Sequence, residues 1–125
     1  MSDINTHREI VEIKTDVKDI KTTQELELRR NKQQYIEYVD SVIGDSRESA
    51  LVFLAMNGKN SLKEIAQKTQ LKQPNVTRGK RRLEENGLIY LLGGSGNNRI
   101  YGKPRWISIL HIDDHVKKKF GIENL

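Results

Sequence analysis

The chain has no cysteine anywhere in its 125 residues, which excludes disulfides, thiolate metal sites and cysteine nucleophiles. It has only two prolines, the first at Pro74, and its first glycine is Gly44, so residues 1–43 contain no strong helix breaker. Aromatic residues make up 6% and hydrophobic residues 35% of the chain, against about 45–50% apolar residues in ordinary globular chains. That is enough for one small core and too little for a large enzyme with a deep pocket. The longest apolar run, Ala50–Met56, is seven residues, far below the ~20 that a membrane-spanning helix needs. The opening residues MSDINTHREI lack the apolar stretch of a signal peptide. The expectation is a soluble chain of the cytoplasm, with no membrane association.

Charge is what the chain has in abundance, and it is unevenly placed. The formal net charge is +5, yet residues 1–45 are acidic on balance. The excess of cations lies in residues 59–105, where eleven lysines and arginines face only Glu64, Glu84 and Glu85. A local excess of this kind makes a positive field that attracts polyanions. A solvated basic face would have the same charge, so motifs must decide between the two.

Residues 1–43 are rich in Glu, Lys, Gln and Arg, all good helix formers. Ile10, Ile13, Val17 and Ile20 follow one another at spacings of three and four, the a/d seam of a coiled coil. A seam this narrow points to pairing with a second copy of the chain, although a helix folded back as a lid has the same pattern. Continuing the heptad reaches the polar Gln24, Glu27 and Asn31. A second stripe then begins, with Leu28, Tyr35, Tyr38, Val39, Val42 and Ile43. Thr22 and Glu25 have capping-box spacing, so the segment reads as one long helix or as two in tandem.

From Gly44 the elements become short. Asp45 and Glu48 have N-cap and N3 spacing ahead of Ala50–Met56, a buried helix that Asn57-Gly58 ends. Ser61 and Glu64 form a capping box for a second helix with Leu62, Ile65 and Ala66 inward. After a turn at 69–73, Pro74 suits the first turn of a third helix, which buries Val76 and Leu83 and stops at Asn86-Gly87. Leu88–Leu92 reads as a strand, 93–98 as a loosened loop and Arg105–Leu110 as the return strand. The tail adds a short helix around Val116 and Phe120, ended by Gly121. The predicted class is mainly α with a small β-hairpin (α+β): a winged helix-turn-helix behind a long N-terminal helix or helix pair. Its segments are 1–44 for dimerisation, 45–110 for the winged helix and 111–125 for a tail.

A helix-turn-helix locks two helices through small and apolar contacts and leaves the second free to enter a major groove. Ala66 is small where the helices cross, and Leu71 and Val76 fill the angle between them. The segment LKEIAQKTQLKQPNVTRGKRRLEENGLI, Leu62–Ile89, resembles the winged-helix repressors of the MarR and ArsR type. The resemblance spans about half the chain, roughly Ser49 to Leu110. It departs from the family in three places. Gln70 stands where the turn usually has glycine, at a cost on the order of 1 kcal/mol if φ is positive. Gly79 lies inside the recognition helix, which makes that helix soft or lets another backbone approach it closely. Lys80 occupies a position that is usually apolar.

The outward face of the third helix carries Gln73, Asn75, Thr77, Arg78, Arg81 and Arg82. Arg pairs with guanine O6/N7, and Gln or Asn with adenine N6/N7. The resemblance implies base contacts near the helix start, at Gln73, Asn75, Thr77 and Arg78. Arg81 and Arg82 lie further along, as phosphate clamps. In the wing, Asn97, Asn98 and Arg99 sit at a glycine-loosened tip, with Lys103 and Arg105 following; an arginine there can enter a narrow minor groove.

Other signals are weaker. The glycines at 93–96 lack the Lys-Ser/Thr of a phosphate-cradling loop. His111 and His115, with Asp113 and Asp114 between them, are metal-capable side chains in a polar tail, and no metal or other cofactor is expected. No catalytic triad or carboxylate pair is visible, so no enzyme activity is expected. The reading is a homodimeric, sequence-specific regulator of transcription, a repressor, that binds an inverted repeat in double-stranded DNA and associates with the nucleoid. The rivals are an architectural, partition or replication-origin binder with the same reading head, and a protein-interaction adaptor working through its N-terminal coil.

Overall fold

The computed structural model describes residues 19–125. Ile10, Ile13 and Val17 of the heptad seam lie outside the described residues. Residues 19–30 are helical, with a turn at Asn31, so Thr22 and Glu25 fall inside a helix that is already running instead of opening a new one. Ile20 and Leu26 are exposed on this helix. Residues from Gln33 to Leu125 form one compact unit, and the described residues before Gln33 belong to a second. Val39, Val42 and Ile43 before Gly44, and Ile112, Val116 and Ile122 after Leu110, contribute to the core of the compact unit.

In chain order the elements are α1 (Lys32–Ile43), α2 (Arg47–Ala55), α3 (Leu62–Thr69), α4 (Gln73–Glu85), β1 (Tyr90–Gly93), β2 (Ile100–Gly102), α5 (Arg105–Ile109) and α6 (Ile112–Phe120). The fold is mainly helical with one two-stranded antiparallel hairpin, a winged-helix-like α+β layout. Among the described residues no helix is long and apolar enough to cross a membrane.

The core is built around α2. Its run Ala50 to Met56 is apolar on all sides, and Ala50, Val52, Phe53, Leu54, Ala55 and Met56 are buried. An apolar run of this width needs cover on most sides, and α3, α4 and α6 supply it, leaving Leu51 half-buried on the side of the exposed Arg47 and Glu48. Its cap is Ser46, whose hydroxyl accepts from the Ser49 N–H at 3.1 Å. That is one residue later than the expected Asp45. Gly44, at φ 62°, ends α1 in the left-handed conformation and moves the helix start on.

Local signals place α3 and α4. Ser61 accepts from the Glu64 N–H at 3.2 Å, and Glu64 accepts from the Ser61 N–H at 3.1 Å, a complete capping box. These bonds to Ser61 hold the Glu64 carboxyl below its ordinary pKa, so their contribution is present at neutral pH and is lost as pH falls through the folded value. Gln70 adopts φ 60°, the left-handed turn that glycine usually fills. At the far end of α4, Leu88 N–H bonds Leu83 C=O at 3.0 Å and Gly87 N–H bonds Glu84 C=O at 3.1 Å. With Gly87 at φ 74° and both leucines buried, this is a Schellman stop.

The hairpin is shorter than expected. Tyr90 pairs with Gly102, Leu91 with Tyr101 and Gly93 with Ile100, with a register shift between Leu91 and Gly93. Ser61 bridges to Ile100 from the other side, so the hairpin is tied to the start of α3. A 3-10 turn at Gly96–Asn98 forms the tip. The return strand ends at Gly102, and Arg105–Ile109 is a helix, correcting the strand expected over Arg105–Leu110. Burial explains the difference. Ile107 and Leu110, three apart, face the core, and Trp106 meets Tyr35 of α1 with ring centroids 5.1 Å apart. Residues 111–125 are also more than a polar tail, because Ile112, Val116 and Ile122 are buried and Arg47 donates to the Phe120 carbonyl at 2.7 Å.

Candidate nucleic-acid interface

The inward face of α4 is Val76, Gly79, Lys80 and Leu83. Gly79 lies against α2: a Cβ built there would sit 3.2 Å from Val52 Cγ2, so the helices are closely packed at this point. Lys80 is buried at 8% exposure; its ammonium reaches Glu84 at 3.3 Å and lies 5.7 Å from the centre of the Tyr101 ring. Its stem therefore serves as the apolar residue expected at this position, while its head stays paired.

With that face fixed, helical geometry turns Arg78, Arg81 and Arg82 outward, and all three are exposed. They lie within about one turn, so their charges add at one patch. Arg78 donates to Asn75 Oδ1 at 2.9 Å, which holds the guanidinium along the helix and occupies the Asn75 carbonyl. Arg82 lies over the end of α1, its Nη2 3.8 Å from where a Gly44 Cβ would stand. A shallow recess of about 210 Å³ brings Arg78 and Arg82 alongside Ser46 and Ser49 at the start of α2. These two serines were not among the expected site residues; the sequence cue is a Ser-x-x-Ser spacing at a helix start.

Thr77 is half-buried on the flank of this patch. Gln73 is placed differently from the expectation, because its Nε2 is shielded from solvent and has no hydrogen-bond partner. As placed its Nε2 cannot donate to a base edge, and the paired reading of adenine N6 and N7 would require the side chain to rotate outward.

In the wing, Asn97 and Asn98 are exposed at the 3-10 turn. Arg99 is half-buried and donates from Nε to the Gly96 carbonyl at 3.0 Å, which holds it to the loop it follows. The turn is tight: a Cβ on Gly94 would fall 2.4 Å from the Asn98 carbonyl oxygen. Lys103 and Arg105 are separated from this tip because the chain leaves β2 at Gly102 and enters α5. Lys103 turns inward, its Nζ 3.0 Å from Asp113 and 4.1 Å from the centroid of the Phe53 ring. Burial pushes its pKa below the ordinary value, and the Asp113 carboxylate opposes the shift only in part. Arg105 is exposed at the first turn of α5 and has a partner of its own.

The position of Lys103 has a measurable consequence. Its folded pKa lies below the ordinary lysine value of 10.5, so between the two the unfolded chain binds more protons and stability rises with pH. In Lys103→Met that rise should be missing from denaturation midpoints measured from neutral into the alkaline range. The same variant is expected to leave duplex affinity and its salt dependence unchanged. A shallower salt slope would return Lys103 to the wing surface.

His111 and His115 diverge. His111 Nδ1 lies 3.7 Å from Asp114, whereas His115 Nε2 lies 2.9 Å from Asp40 and ties α6 to α1. Among the described residues no group of three or more metal-ligating side chains comes together. No family model, curated protein or solved structure matches the chain.

Proposed function

We propose that this protein binds double-stranded DNA as a homodimer and regulates transcription, as a repressor acting at an inverted repeat in the cytoplasm and nucleoid. The observation that carries this reading is the exposed patch of Arg78, Arg81 and Arg82 on a helix whose other face is packed against α2. Such a helix can enter a major groove, while the Asn97–Asn98 tip and Arg99 approach the adjoining backbone. Dimerisation is assigned to the seam Ile10, Ile13, Val17 and Ile20. Of these, Ile20 is 56% exposed and open to a second helix. The recognition helices would then meet successive grooves about 34 Å apart. No step of this function requires a cofactor or catalysis.

One observation favours a second reading. The shielded Gln73 amide and the Asn75 carbonyl occupied by Arg78 leave fewer side chains for base edges. A head of this kind can also serve an architectural, partition or origin binder that reads the backbone and its shape.

One experiment separates the readings: selection of bound sequences from random duplexes at fixed salt, with mass measurement in solution. A regulator yields one palindrome and a dimer. Arg78→Ala should then relax preference at one base position at a cost of about 1–3 kcal/mol, whereas Arg82→Ala weakens all duplexes alike and reduces the salt slope by roughly one. Equal losses on selected and random duplexes for both variants would favour the architectural reading. No salt-sensitive retention of any duplex would reject DNA binding.

A further inference from the structure

We propose that the cleft between the hairpin and the α5–α6 corner binds an uncharged, largely apolar small molecule, a site that does not depend on DNA binding. The cleft has a volume of about 580 Å³, within the roughly 300–1,000 Å³ typical of small-molecule pockets. Met56 and Ile107, both buried, form its floor. Tyr90 and Leu92 form one wall and are 49% and 54% exposed, large apolar side chains that α5 and α6 leave uncovered. Gly102 allows both to lean over the opening, because a Cβ there would come within 3.1 Å of Leu92 and 3.3 Å of Tyr90.

The rim determines the charge of the occupant. Its two cations, Lys103 and Arg105, are matched in number by two carboxylates, Asp113 and Asp114. Lys103 Nζ meets both Asp113 oxygens, at 3.2 and 3.0 Å, His111 lies 3.7 Å from Asp114, and Arg105 is not free. An anionic ligand would have to draw Lys103 from Asp113 or Arg105 from its own partner, and the rim offers it no net charge in return. A neutral molecule only displaces water from Tyr90 and Leu92, because Met56 and Ile107 beneath them are already out of solvent, and that displacement is favourable in proportion to the apolar area covered.

The test uses the full-length chain and two fluorophores of similar ring system, uncharged N-phenyl-1-naphthylamine and anionic 1-anilinonaphthalene-8-sulfonate. The neutral probe should bind saturably at one site per chain, and more tightly than the anionic probe. Leu92→Asp and Tyr90→Ser, both at half-exposed positions, should each weaken it by about tenfold, with circular dichroism unchanged. Three outcomes overturn the proposal: no saturable binding, equal binding of the two probes, or affinity unchanged in both variants. Sedimentation supplies a fourth. If Leu92→Asp dissolves an assembly from which the wild type excludes the probe, a second copy covers the cleft.

Discussion

Replacing Arg78 and Arg81 together with glutamate is expected to abolish measurable duplex binding at moderate salt while leaving the fold intact. Both side chains are exposed and lie off the buried Val76–Gly79–Lys80–Leu83 face of α4. Hydrogen bonds to charged groups contribute about 1.5–3 kcal/mol each, so losing two costs roughly 3–6 kcal/mol, or about 100-fold to 10⁴-fold in affinity. Two new carboxylates facing phosphates add repulsion. The salt dependence of the remaining binding should become shallower by about one counterion, the phosphate contact assigned to Arg81. Glutamate is a good helix former, so thermal unfolding should move little. The measurement is a salt series on the selected duplex, with circular dichroism as control. Retention of wild-type affinity would mean that α4 does not touch DNA.

Phe53→Ala should have the largest effect on stability. Phe53 is fully buried at the centre of α2, with the Lys103 ammonium 4.1 Å from its ring centroid. Truncating a buried Phe costs about 3–5 kcal/mol, a large share of the ~5–15 kcal/mol that holds a domain together. For a unit of this size the melting temperature should fall by roughly 15–30 °C. The ring also faces a cation that has already lost solvent, so its removal leaves that cation with Asp113 alone. Comparing Phe53→Ala in the wild-type and Lys103→Met backgrounds isolates this part, expected at about 1 kcal/mol or more. A loss below about 1 kcal/mol for the single variant would show that the core is not organised around α2.

Much of the fold could be read from local sequence, because local bonds build it. The Ser61–Glu64 box, the stop at Asn86-Gly87, the left-handed Gln70 and the ending at Gly121 each involve residues within a few positions of one another. The errors arose where distant residues decide. Trp106-Ile107-Ser108-Ile109-Leu110 is too short for its period to separate strand from helix; its helix rests on Tyr35, seventy-one positions before Trp106, and on a core that no local window shows. The same holds for Lys103. Its charge and its place after a hairpin suggest a wing residue, and only Phe53 and Asp113, brought close by the fold, turn it inward. Within the candidate site the arginines were legible from helix periodicity. The inward Gln73 amide and the Asn75–Arg78 bond were not, because rotamers answer to neighbours as well as to spacing.

The contact between Gly79 and Val52 limits how related sequences can diverge. Gly79→Ala would improve the helix by about 1 kcal/mol, yet the added methyl would press on the valine at 3.2 Å. Drift at either position is therefore conditional on the other. A lineage that shortens Val52 to alanine opens room for a methyl on the facing helix, and one that keeps valine accepts that methyl only if the valine yields by a few tenths of an ångström. In homologues the two columns should change together, a constraint set by packing at the crossing of two helices.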